Sequence, residues 1–335
     1  MKLHDVRPSL AQALPAREDQ LAWKLAAVAA ERVPAAKGAA GLIIDQLLAN
    51  ATSALSAINS RPAISARGAA LAHAKKIGGA QLFGVPSRIG VSAEWAAWAN
   101  GAAVRALATS AIPSLTDLIP PVLAVAQARE KSGRDFIRAV VAAAEIHAAL
   151  NEGLDLAARQ LSPIAHLAPA QAAGIGALLG LKQETIYQAL QQAVHVACVP
   201  ALGASPAPSS WPVFAPAHAG KLAIEAVDRA MRGEGAPTPA YESEIFARAA
   251  SPAPDQVRLP EPGETRTAIL ATPTAGREAQ IATFLALTEG LITPRERNRF
   301  VESVQNLHRL TAGELSSLNV AVPAGALDES KPGIF

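Results

Sequence analysis

The chain has 335 residues, half of them hydrophobic but only 4% aromatic and 17% charged, so its apolar content is mostly alanine and small aliphatics suited to closely packed helices. With 30 basic against 28 acidic residues the net charge is +2, and no basic run is interleaved with aromatics, which excludes the usual footprint of a nucleic-acid binder. A single cysteine, Cys198, excludes an internal disulfide, a CxxC zinc site and a cluster held by several thiolates, and points to the cytoplasm.

The length suits one large domain or two average ones, with room for a sizeable core. Met1 to Arg17 carries His4, Asp5, Arg7 and two prolines without a continuous apolar run, so it does not read as a signal peptide. Along the chain, Leu42, Ile43, Leu47, Leu48, Ala51, Leu55 and Ile58 mark one face of a core helix. A second helix is expected over Ala93–Ala108, with Ser92 as its N-cap and Trp95, Trp98 and Val104 at helical spacing. A third starts at Ser132, where Ser-x-x-Asp with Asp135 is a start signal, and runs towards Gly153. Further helices are predicted over Pro169–Leu181, Glu184–Val199 and Phe214–Arg232, the last ended by Gly233 at C′. Gly233 to Pro273 is rich in Pro and Gly and reads as a long connection. Helices follow over Arg277–Glu289 and Pro294–Leu310, the latter with Thr293, Pro294 and Glu296 as N-cap, N1 proline and capping-box acid.

Period-two alternation is confined to Gln81–Val85, Val257–Leu259, Arg266–Leu270 and Asn319–Val322, so the fold class is all-α or nearly so. Gln160–Leu181 and Ile186–Gly220 lack formal charge, but Pro, His, Gln and Ser among weakly hydrophobic alanines favour burial in protein over a membrane span.

No P-loop, dinucleotide fingerprint, H-E-x-x-H, G-x-S-x-G or acidic calcium loop occurs, so neither a cofactor nor a metal is implied. Gly174-Ile175-Gly176 with Gly180 lies inside a helical pattern with no preceding strand, which favours close helix approach over phosphate binding. The acid–base candidates in apolar surroundings are His147, His166, His195 and His218. Each is balanced against an ordinary hydrogen-bonded core histidine. Glu145 and His147 are two residues apart and face different sides of a helix, so they form no local dyad. Asp117, in the proline-bounded segment Ala111 to Val122, is either a helix cap or a functional carboxylate. Trp211, just before a helix, either anchors its loop or lines a pocket. Arg295, Arg297 and Arg299 read as a solvated face.

Several strings resemble the actinobacterial type of the MmgE/PrpD family of 2-methylcitrate dehydratases. They are Met1-Lys-Leu-His-Asp-Val-Arg7, Ser92-Ala-Glu-Trp-Ala-Ala-Trp-Ala-Asn-Gly101, Ile164-Ala-His-Leu167, Gln183-Glu-Thr-Ile-Tyr187, Phe214-Ala-Pro-Ala-His-Ala-Gly-Lys221 with Glu225 to Gly233, and Lys331-Pro-Gly-Ile-Phe335. The resemblance implies a helical core domain over residues 1–270, C-terminal helices over 271–335 that pack back on it, and a cytoplasmic homodimer. The family's smaller α+β domain has no counterpart, since the chain passes from Thr267-Ala-Ile-Leu270 almost directly to the closing helices.

The reaction so implied is cofactor-free loss of water from a hydroxy-tricarboxylate in propionate breakdown. It needs a base for a C–H proton, an acid for the leaving hydroxyl, and cations for the carboxylates. By resemblance, Asp117 and His166 are the catalytic candidates, and Trp211, His218 and Lys221 the substrate-binding ones. The family's other groups are missing. Its D-x-x-D motif falls on Ala108–Pro113, its H-P-x-D-N on Ser114–Leu118, where only Asp117 survives, and its Asp-His pair on Ser162 and Pro163. Pro200–Pro208 lacks the expected Lys and Arg. The sequence therefore implies a dehydratase-like protein with a degenerate site, or a noncatalytic helical scaffold of the same descent.

Overall fold

Alanine-rich runs with Leu, Ile or Val every three or four residues can bury one face cheaply as helix, and helix dominates the protein. In the computed structural model the described residues are 1–6, 15–108, 112–201, 211–236, 239–243, 246, 255–264, 276–323 and 325–334. The strands are β1 (Lys2–Val6), β2 (Ala74–Lys75), β3 (Gly90–Val91) and β4 (Asp255–Leu259). The helices are α1 (Leu21–Ala30), α2 (Ala39–Ser56), α3 (Arg61–Leu71), α4 (Ala93–Arg105), α5 (Leu115–Ala128), α6 (Gly133–Gly153), α7 (Ile164–Leu179), α8 (Gln183–Ala197), α9 (Trp211–Met231), α10 (Arg277–Leu287), α11 (Pro294–Gln305) and α12 (Ala312–Ser316). Among the described residues there are two two-stranded sheets, β1 with β4 and β2 with β3. The fold class is mostly helical, as composition and spacing predict. Among the described residues no single helix is long and apolar enough to cross a membrane.

The chain divides into two compact units. Unit 1 comprises Met1–Ala36, Arg138–Ser209 and Leu222–Ile269; unit 2 comprises Lys37–Ile137, Ser210–Lys221 and Leu270–Phe335. In unit 1, α7 and α8 form an antiparallel pair joined by a short turn and packed on α1. Gly176 permits this, since a Cβ there would lie 2.7 Å from Ile186 Cγ1. Gly176 is thus a close helix contact. β1 pairs antiparallel with β4 in the register Lys2↔Leu259 to Val6↔Asp255. The buried Arg159 guanidinium ties β4 down through an ion pair to Asp255 and a 2.9 Å bond to the Asp155 carbonyl.

In unit 2, α4 packs along α3 and α5, α2 lies against α4, α5 and α10, and α11 also contacts α2. Phe136, Phe284 and Phe300 are fully buried there, each stabilising the fold by roughly 1.5–3 kcal/mol relative to exposure. Gln127 of α5 ties this unit's loops by donating to the Leu318 carbonyl at 2.8 Å while its oxygen accepts from Gln81 N at 2.9 Å.

Several helix ends follow the expected signals. Ser132 and Asp135 exchange bonds at the start of α6, the Thr293 hydroxyl accepts from Glu296 N at 3.3 Å, and Gly233 after α9 has φ +88°. Others differ. The helix expected from Pro169 begins at Ile164, because a buried run tolerates the one carbonyl that an interior proline leaves unbonded. Ser92 sits at the N-cap of α4, but its hydroxyl donates to Glu94 Oε1 at 2.6 Å and caps nothing. Gln81–Val85 and Asn319–Val322 are not strands; they meet through a single parallel bridge, Gly84↔Ala321. Arg266–Leu270 lies outside the described residues. β1 carried no sequence signal, since its alternation spans only five residues and its partner β4 is remote. Arg297 and Arg299 are not simply solvated. They donate to the carbonyls of Leu285 at 2.8 Å and Asn319 at 2.6 Å.

Candidate functional site

Asp117 stands at the third residue of α5, placed there by a Ser114-Leu-Thr-Asp117 capping box in which its Oδ2 accepts from Ser114 N at 2.9 Å. The same carboxylate receives Arg105 Nε at 2.7 Å and Nη2 at 2.5 Å, and the side chains of Arg105 and Asp117 are 5% and 3% exposed. Arg105 also donates to the Ile112 carbonyl at 3.0 Å. A buried fork-on-fork pair of this kind holds the end of α4 against the start of α5. Both carboxylate oxygens are engaged, so the group is a capping and pairing residue in its local geometry. The S-x-x-D signal was present in the sequence; Arg105, twelve residues away, was not identifiable as its partner.

His166 lies in unit 1, on α7, and is 1% exposed. Its Nδ1 is 2.9 Å from Asn151 Oδ1. An amide oxygen only accepts, so Nδ1 carries the proton and Nε2 is left as a bare lone pair, buried with no hydrogen-bond partner. Asn151 turns its amide nitrogen to His147, at 3.3 and 3.4 Å from the two ring nitrogens. His147 and Asn151 share a face of α6 at i,i+4 spacing, a relationship the sequence contained but which only the packing of α7 connects to His166. Burial pushes His166 down to about 3, helped by the nearby His147 and Arg159 charges, and burial pushes His147 down to about 4. Both rings are therefore neutral near pH 7.

His218 and Lys221 lie three residues apart on the unit 2 part of α9, which approaches α4 where Ala217 packs on Gly101. Lys221 Nζ sits 3.9 Å from the Trp95 ring centroid, and the His73 ring stacks on Trp95 at 4.3 Å with an interplanar angle of 7°. His218 meets Trp98 edge to face at 6.1 Å. Trp95 and Trp98, placed by the sequence at helical spacing on α4, are thus the partners of both α9 candidates. Trp211 is the first residue of α9, and its side chain lies outside the described residues.

Unit 1 holds further polar groups at or near its core. Glu242 accepts from Leu21 N at 2.6 Å, capping α1 from more than two hundred residues away, and its burial raises its pKa. Tyr187 donates to Gln20 at 2.6 Å and accepts from Gln191 at 3.1 Å. Cys198 is a free thiol that burial pushes up to about 12. Among the described residues no three His, Cys, Asp or Glu side chains gather as metal ligands.

Residues 19–256 match the family model described as the MmgE/PrpD N-terminal domain. The match spans both units and includes Asp117, His166, His218 and Lys221, and on its extent this chain belongs to the MmgE/PrpD family.

Proposed function

We propose that this chain keeps the helical domain of a 2-methylcitrate dehydratase-type protein but has a degenerate site that does not dehydrate a hydroxy-tricarboxylate. The observation that carries this reading is the Arg105–Asp117 pair. Asp117 is the one carboxylate retained from the family's acidic motifs, and its oxygens are occupied by a guanidinium and a backbone N–H. A base must have a lone pair within reach of the substrate proton.

The other proton carrier, His166, is neutral and 1% exposed, which supports a packing role. Lys221 lies over Trp95, and Pro200–Pro208 contains no cation for substrate carboxylates. Loss of each general acid–base group costs about two to four orders of magnitude in rate.

The test is incubation of the purified chain with 2-methylcitrate while following alkene absorbance. Signal equal to that of a heat-inactivated control is expected; turnover above it overturns the reading. The same reading carries a helical homodimer as the functional form, in the cytoplasm. Sedimentation equilibrium checks the assembly, and a monomer mass at all concentrations counts against it.

A further inference from the structure

A different feature of unit 2 points to a ligand. A cavity of about 920 Å³, open to solvent on one side, lies between α3, Trp95 of α4 and the C-terminal segment, and its volume is within the range of small-molecule sites. The start of its tail wall is tied to the body of unit 2. The Arg67 guanidinium, buried, donates to the carbonyls of Ile58 at 2.6 Å and Asp328 at 2.7 Å. The Asn59 side chain donates to the Ala326 carbonyl at 2.9 Å and accepts from Asp328 N at 3.0 Å. Ser330 then seats on Gly68, where a Cβ would lie 2.1 Å from its Oγ. These contacts hold the segment as far as Ser330, from which the exposed residues Lys331 to Ile334 continue along the cavity.

The lining has a consistent chemistry. Arg61 and Lys331 both border the cavity, and among the described residues neither makes an ion pair. Glu329 is the one acid in the lining, so two cations face one anion. Arg61 is the first residue of α3, where the helix's unbonded N–H groups add positive potential. Ile64 and Pro332 supply an apolar wall, extended by the part of Trp95 that His73 and Lys221 leave uncovered. Unpaired cations beside apolar surface match a ligand with one acidic head and an extended apolar body.

We propose that this cavity binds a monocarboxylate with an extended apolar body, its carboxylate held by Arg61 and Lys331 and its body lying against Ile64, Pro332 and the uncovered part of Trp95. The site is separate from the Arg105–Asp117 pair and does not depend on whether the protein dehydrates anything.

The experiment is calorimetric titration of the full chain with decanoate and, in parallel, with decylammonium, the same body bearing the opposite charge. Saturable one-to-one binding of decanoate is expected, with decylammonium at least about tenfold weaker. In the R61A/K331A variant decanoate weakens by about tenfold or more, roughly one charge-assisted contact's worth. In E329Q it tightens. All three side chains are exposed, and an unchanged melting temperature shows that the variants remain folded. Absence of saturable decanoate binding, equal affinity for the two amphiphiles, or unchanged affinity in R61A/K331A overturns the proposal.

Discussion

The carboxylate of Asp117 is clamped by Arg105 through bonds of 2.7 and 2.5 Å while it accepts the Ser114 N–H at 2.9 Å. Removing one partner of a buried pair strands the other charge, which costs about 3–5 kcal/mol. Asp117→Ala is therefore expected to destabilise the protein by that amount in urea unfolding, and Arg105→Met/Asp117→Leu by much less. Equal losses in the single and double variants would contradict a structural role.

The pH dependence follows from His147 and His166. Their folded-state pKa values, about 4 and about 3, lie below the unfolded value of 6.5. Between these limits the unfolded chain binds more protons, so stability is full above about pH 6.5 and falls as the pH drops towards 4. The shift at His147 alone corresponds to on the order of 3 kcal/mol. His147→Gln/His166→Gln should flatten the profile of urea midpoint against pH between 7 and 4. An unchanged slope would place the acid sensitivity elsewhere.

Gly176 faces Ile186 with no room for a methyl group. Gly176→Ala should cost about 1–3 kcal/mol by overpacking α7 against α8. Ile186→Ala in the same chain should recover part of that loss, which thermal melts of the four combinations measure as a coupling energy.

Lys221 and Trp95 form a cation–π contact at 3.9 Å. A double-mutant cycle with Lys221→Met and Trp95→Leu is expected to give about 0.5–2 kcal/mol of coupling. A coupling of zero would mean that the ammonium is held by its other neighbours alone.

Cys198, with its thiol held at about 12, has a thiolate fraction of roughly 1 in 10,000 at pH 8. Iodoacetamide should therefore label the native protein orders of magnitude more slowly than the urea-unfolded chain, as mass spectrometry would follow. Comparable rates would show an accessible, ordinary thiol.

The sequence by itself determined the helical class and most helix positions, because local periodicity and start signals act within one or two turns. Ser132 with Asp135, Thr293 with Glu296, and Gly233 were legible for that reason. The family was also legible, since long strings survive where helices must pack, and residues 19–256 match its N-terminal domain. Tertiary structure alone decided what the chemistry-bearing side chains touch. The sequence left Asp117 equally a cap or a catalyst, and the fold brings Arg105 across from α4 onto its carboxylate. The sequence left His166 an acid–base or a core residue, and the packing of α7 sets it against Asn151. Lys221, a substrate-binding candidate by resemblance, is laid by α9 on Trp95. β1 found β4, and Arg67 and Asn59 found the C-terminal segment, across some 250 residues or more. Such pairings depend on which surfaces the folded chain brings together and on the water it excludes from them, neither of which is written in local spacing.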